Sequence, residues 1–168
     1  VAINARQTDP ASVARGYFEA VSRRDVEAMA SFWEPGALDV IHGVVEMRVP
    51  SDLRTWFGGL FLSFPDYSFE ILDVITSGEK AAVHWRATGT FNGSAPFEGL
   101  DPNGARVEIQ GCDVLTIREG LIRRNDAYLN GAEMARQLGA LPPQGSLPER
   151  AMYSALNLKT RAARRFGR

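Results

Sequence analysis

Two acidic residues, Asp113 and Asp126, flank a turn signal at Glu119-Gly120 and sit in segments of alternating polarity, Arg106–Ile117 and Leu121–Leu129. If these segments form a hairpin with a two-residue turn, Arg118 meets Leu121, Ile117 meets Ile122, Leu115 meets Arg124 and Asp113 meets Asp126. Alternation then puts Val107, Ile109, Gly111, Asp113, Leu115 and Ile117 on one face, beside Ile122, Arg124, Asp126 and Tyr128. The other face, with Arg106, Glu108, Gln110, Thr116, Arg123 and Asn125, is the wetter one. Two carboxyls opposed on an apolar surface resist ionising together, so one pKa is expected to rise. A carboxyl poised in that way suits general acid/base work, worth about 10²–10⁴ in rate. The competing reading is a structural cluster in which Arg124 neutralises both acids.

The aromatic residues are mostly expected to be core. Tyr17, Trp33 and Trp56 are the best candidates for a pocket wall, because helices laid over a sheet turn their inner faces to it; Phe61 and Tyr128 are further candidates. His42 lies at a bend and is a candidate acid/base partner or a solvated turn residue. His42 and His84 show no ligand spacing, so no metal site is expected. Cys112 is out of phase with Asp113 and has no histidine beside it, which argues against a nucleophile. Serine-hydrolase elbows, phosphate loops and dinucleotide fingerprints are missing from the sequence.

Those groups have to be held by elements that the sequence also suggests. Asp9-Pro10 marks a helix start, with Val13, Tyr17, Phe18 and Val21 on one face. Asp25 caps a second helix bearing Val26, Met29, Phe32 and Trp33, ended by Pro35-Gly36. Residues 37–41 and 44–49 read as a short strand pair, and Ser51 as the cap of a third helix. The period then changes from 3.6 to 2, giving strands at 67–75, 80–91, 106–117 and 121–129. A loop rich in glycine and proline spans 92–104, and a short helix 132–138. Helices followed by a strand meander predict an α+β fold, a strongly curved antiparallel sheet with helices capping its concave side. Residues 1–141 form the domain; 142–168 are a linker and a basic helix.

Three stretches carry a likeness: HWRATGTFNG (His84–Gly93), FEGLDPNGARVEIQGCDVLTIREGLI (Phe97–Ile122) and RQLG (Arg136–Gly139). They resemble the SnoaL-like polyketide cyclases, of the superfamily shared by nuclear transport factor 2, ketosteroid isomerase and scytalone dehydratase. The resemblance implies a cone-shaped α+β barrel, a pocket at its open end, no cofactor, and a pocket carboxylate acting on an acidic C–H beside a carbonyl. It places Asp113 where the isomerase has an aspartate bonded to the substrate oxygen, and Tyr17 at that enzyme's first-helix tyrosine. The isomerase's base falls near Val40, which counts against isomerase chemistry of that kind.

The leading expectation is a cofactor-independent cyclase, isomerase or dehydratase. It would act on a small, apolar, cyclic carbonyl compound, with Asp113, Asp126 and Tyr17 catalytic. Trp33, His42, Trp56, Phe61, Arg124 and Tyr128 would contact substrate. One alternative is water activation by Asp113, Arg124 and Asp126, as in limonene epoxide hydrolase. Another is a non-catalytic domain for small-molecule binding or oligomerisation.

Composition fits a globular chain: 168 residues, 45% hydrophobic, 23% charged, one cysteine. A net charge of −1 argues against nucleic acid as a partner. No apolar run is long enough to span a bilayer. The first ten residues do not read as a secretory signal, so a cytoplasmic location is expected. From Leu147 on, six basic residues face one acid, leaving the tail at +5 and residues 1–146 at −6. A partly apolar outer sheet face suggests a homodimer or higher homo-oligomer.

Overall fold

The computed structural model describes residues 9–166, so the opening segment read for a signal lies outside it. Helix α1 (Pro10–Ser22) starts where Asp9 accepts from the Ser12 N–H at 3.1 Å, with proline in the first turn. Its buried face is Val13, Ala14, Tyr17, Phe18, Ala20 and Val21. Asp25 caps α2 (Val26–Ser31) through the Ala28 N–H. That helix stops before Trp33, which was expected inside it. Pro35 biases Glu34 towards extended backbone, and the Phe32 carbonyl is taken by the Ile122 N–H, so Trp33 opens strand β1 (Trp33–Ile41).

Strand β2 (Val45–Arg48) follows, then α3 (Ser51–Ser63). Pro50, not Ser51, holds the cap position of α3, and no side chain caps it. The long strands are β3 (Ser68–Ser77), β4 (Lys80–Phe91), β5 (Ala105–Arg118) and β6 (Leu121–Leu129). Helices α4 (Gly131–Gln137) and α5 (Leu147–Phe166) end the chain.

The fold is the expected α+β class: one curved, open, six-stranded sheet in the order β2-β1-β6-β5-β4-β3. One pairing departs from the expected antiparallel sheet, since β1 runs parallel to β6. The long crossover that a parallel pair needs is supplied here by everything between β1 and β6. Helix α1 crosses the concave side, where Phe18 stacks on Phe69 at 5.2 Å and Tyr17 meets Trp33 edge-on at 5.6 Å. Phe64, ending α3, stacks on Phe91 and meets Phe97 edge-on. Helix α4 closes the end of β5. There the Gln137 amide accepts from the Glu108 N–H and donates to the Glu108 carbonyl, in place of a neighbouring strand.

The β5–β6 hairpin decides the site. Glu119 and Gly120 both have positive φ (53° and 79°), which suits the two-residue turn expected there. Arg118 pairs with Leu121 and Ile117 with Ile122, also as expected. The register then slips, because Thr116 pairs with Arg124 and leaves Arg123 as a bulge. Arg123 pairs with Glu34 and, at 3.1 Å, with Glu119. Strand β1 is irregular at the same level, where Pro35-Gly36 is looped out between Trp33 and Leu38. Past the bulge, Asp113 lies opposite Ala127 and Asp126 opposite Val114. A one-residue slip exchanges the faces of all later side chains, so the expected pairing of Asp113 with Asp126 does not form.

Candidate active site

With that register the inward positions are Asp39 and Ile41 on β1, Asn125, Ala127 and Leu129 on β6, and Val107, Ile109 and Asp113 on β5. They share an apolar cavity of about 100 Å³ with Tyr17, Phe18, Trp56, Phe57, Tyr67 and Trp85. Half-buried Ile41, Val44, Trp56, Leu129 and Met134 mark its open side. The polar atoms gather at the floor. Asp39 and Asn125 are 1% exposed and Asp113 is 5%.

The Asn125 amide ties the two acids together, its Nδ2 donating to Asp39 Oδ1 at 3.0 Å and to Asp113 Oδ2 at 2.6 Å. The Trp85 Nε1–H donates to Asp113 Oδ1 at 2.7 Å. The Tyr17 hydroxyl is 3.5 Å from Asp39 Oδ2, a long bond that leaves it able to turn to a ligand. Trp85 reaches Asp113 by lying across Gly111, where its strand neighbour has no side chain.

Burial is the largest influence on both carboxyls. It pushes Asp39 up to about 7, with the charge of Asp113 adding to the rise and the bonds from Asn125 and Tyr17 opposing it. Asp113 is also raised by burial, to about 6, held down by Trp85 and Asn125. Asp113 has two short donors and is the better-stabilised anion; Asp39 keeps the proton longer. Near neutral pH the pair therefore holds about one proton. The Tyr17 hydroxyl is raised well above its usual range, by burial and then by Asp39, and stays protonated.

The sequence matches the SnoaL-like domain family over residues 14–125, two-thirds of the chain, a stretch that takes in Tyr17, Asp39, Trp85, Asp113 and Asn125. The chain belongs to the SnoaL-like family. Solved structures agree on the fold. A candidate SnoaL-like polyketide cyclase from Jannaschia sp. CCS1 is 19% identical, with a TM-score of 0.71 over 84% of this chain and 99% of the other. AclR, a candidate hydroxylase from Streptomyces galilaeus, is 20% identical, with 0.69 over 93% and 95%. SalBIII, an epoxide hydrolase/cyclase-like enzyme of pyran ring formation in salinomycin, is 23% identical, with 0.61 over 74% and 92%. No curated protein sequence matches.

Within this SnoaL-like fold, Tyr17, Trp56 and Asp113 line the cavity. The other candidates do not. Asp126 lies on the outer face, where Arg124 grips it with two bonds of 2.7 Å and His42 Nε2 stands 3.0 Å away. Arg124 and its pairing with Asp126 hold that carboxyl below its ordinary range, so it is an ion pair and not a poised acid. Tyr128 stacks on His42 at 4.5 Å and is half exposed on the same outer face. Trp33 is buried behind Tyr17, with its Nε1 unpartnered, and does not reach the cavity. Phe61 packs between Phe57 and Tyr67, outside the cavity wall. The set of Asp113, Arg124 and Asp126 is therefore not assembled, and no arginine lines the cavity among the described residues.

The raised carboxyls give stability a definite pH dependence. A folded pKa above the unfolded value means that the folded state binds more protons between the two. Stability from Asp39 and Asp113 is complete below about pH 4 and is lost as pH rises towards about 7. Carboxyls with lowered values, such as Asp66 and Glu149, act below that window. Thermal melts should accordingly show Tm falling between about pH 5 and about pH 8; a Tm that rises across this range contradicts the shifts.

Proposed function

We propose that the protein is a cofactor-independent acid/base enzyme of cyclase or isomerase type. It acts on a small apolar ring compound with an acidic C–H beside a carbonyl. The observation that carries this reading is the pair of buried carboxyls, Asp39 and Asp113, joined through Asn125 at the floor of an apolar cavity. A cavity of about 100 Å³ is smaller than the engineered protein cavity of about 150 Å³ that binds benzene, so a small ring compound would sit with part of it at the open side.

Asp39 is the proton-exchanging member. Its pKa of about 7 balances availability of the base against its strength at neutral pH. As Asp39 takes the C–H proton, negative charge moves to the carbonyl oxygen. The Tyr17 hydroxyl donates to that oxygen, and the dry walls strengthen the bond. Asp113 stays an anion, fixed by Trp85 and Asn125, and its charge keeps the proton affinity of Asp39 high. Returning the proton to a different carbon gives isomerisation. Attack of the enolate carbon on a second carbonyl opens that C=O π bond and gives ring closure, the new alkoxide taking the proton back from Asp39.

Cyclohex-3-en-1-one in D2O is a suitable probe, since deuterium entry beside the carbonyl reports proton removal directly. The reading predicts exchange faster than the buffer rate and competitive inhibition by phenol. Exchange at the buffer rate, together with tight retention of an apolar molecule, would favour a binding protein instead.

A further inference from the structure

We infer that the Tyr67 hydroxyl is a second oxygen-binding group of the cavity, so that the ligand is a ring compound with two acceptor oxygens, one held by Tyr17 and one by Tyr67. The inference rests on the cavity being a site for a carbonyl compound, as proposed above, and narrows the class of that compound.

Tyr67 is fixed by the turn that joins α3 to β3. Its N–H donates to the Phe64 carbonyl at 3.0 Å, closing the turn over Pro65-Asp66. The Asp66 carboxylate accepts from the Thr90 N–H at 2.6 Å and from the Thr90 hydroxyl at 2.7 Å, which pins the turn to β4. The Tyr67 ring packs on Phe61 at 5.4 Å, and its side chain lines the cavity with Tyr17, Trp85 and Asp113.

The hydroxyl itself is unspent. Among the described residues it has no hydrogen-bond partner, nor is it one of the unpartnered atoms that are sealed off, so it keeps contact with open cavity space. A tyrosine hydroxyl inside a protein usually finds a partner, and leaving it unmet costs stability. A phenylalanine would fill the position without that cost, as Phe57, Phe64 and Phe69 do along the same wall.

Charge shows which way the hydroxyl faces. Burial, and after it the charge of Asp113, raises Tyr67 well above its usual range, so it is a protonated donor at neutral pH. Tyr17, raised first by burial and then by Asp39 and Asp113, also feels Tyr67. The two phenols therefore look onto one floor.

The other donors near by are committed. The Asn125 amide donates to Asp39 and Asp113, the Trp85 indole to Asp113, and the Trp56 indole to Glu98 at 3.4 Å. Thr88 falls between the inward positions Ala87 and Gly89, so its hydroxyl faces the other side of β4. A ligand thus meets two free hydroxyl donors. A carbonyl held by Tyr17 alone leaves Tyr67 unpaired in an apolar space, whereas a second oxygen satisfies both.

NMR titration at neutral pH with cyclohexanone, cyclohexane-1,4-dione and 2,2-dimethylcyclohexane-1,3-dione tests this. The diones present a second oxygen at two different spacings. For at least one of them, affinity relative to cyclohexanone should fall about 10-fold in Tyr67→Phe, the worth of one hydrogen bond. The variant should melt no lower than wild type, since its hydroxyl has no partner to lose. Tyr17→Phe should weaken all the probes. An unchanged ratio for both diones in Tyr67→Phe would overturn the inference and leave the carbonyl site standing. So would a Tyr67→Phe protein that melts well below wild type or does not fold, because the hydroxyl would then have a partner within the fold. Cyclohexanone binding unaffected by Tyr17→Phe would remove the carbonyl site itself, and the inference with it.

Discussion

Asp39→Asn is expected to slow proton exchange on the cyclohexenone probe by about 10²–10⁴-fold, the usual worth of a general base. The same substitution should make the protein more stable at about pH 8, by the order of 2 kcal/mol. The two effects share one cause. Asp39 is 1% exposed and lies close enough to Asp113 for its charge to be felt, so ionising it costs free energy that the fold has to supply. An asparagine fills the same space, still accepts from Asn125 Nδ2, and carries no charge to desolvate. The fall of Tm between about pH 5 and about pH 8 should flatten in the variant, because the group with the highest shifted pKa is gone. Lost activity with unchanged stability would mean that Asp39 is not buried as an acid. Gained stability with full activity would move the base elsewhere.

Gly111→Ala should be the most disruptive single-methyl change in the sheet. A Cβ there would stand 2.7 Å from the Tyr128 carbonyl oxygen and far inside van der Waals contact with the Trp85 indole. The carbonyl belongs to the β-ladder and has little freedom to move, so Trp85 must give way. It then loses its 2.7 Å bond to Asp113, which stays buried with one donor fewer. Overpacking typically costs 1–3 kcal/mol and a buried acceptor left unpaired adds a similar amount, so about 3 kcal/mol or more is expected. Chemical denaturation measures this. Adding Trp85→Leu should restore part of the stability, by vacating the space, without restoring activity. A Gly111→Ala protein as stable as wild type would show that the indole does not lie across the glycine.

The comparison of sequence with structure turns on one bulge. Alternation placed Val107 to Ile117 on the inner face of β5, and burial agrees, Asp113 included. The turn and its first two pairs were equally legible. The slip at Arg123 was not, and it carried Arg124, Asp126 and Tyr128 to the outside and brought Asn125 in. A signal was present: Ile122 and Ala127 are both apolar yet five residues apart, which strict alternation cannot put on one face without an extra residue between them. Asp39 was missed differently. The resemblance pointed to Val40, one position along, and in a strand one position is the opposite face. Val40 pairs with Asp126 on the outside, while Asp39 pairs with Asn125 within. Trp85 could not be linked to Asp113 before the strand register was known, because a long indole reaches across a neighbouring strand only where that strand has no side chain.

Titration of the carboxyl carbons by ¹³C NMR, in protein labelled at aspartate, addresses the shared proton without reference to any substrate. Two resonances should titrate late, one near pH 7 that vanishes in Asp39→Asn and one near pH 6 that vanishes in Asp113→Asn, while Asp126 remains ionised throughout that range. If both inner aspartates are fully ionised at about pH 5, the pair holds no proton near neutrality and the acid/base account fails.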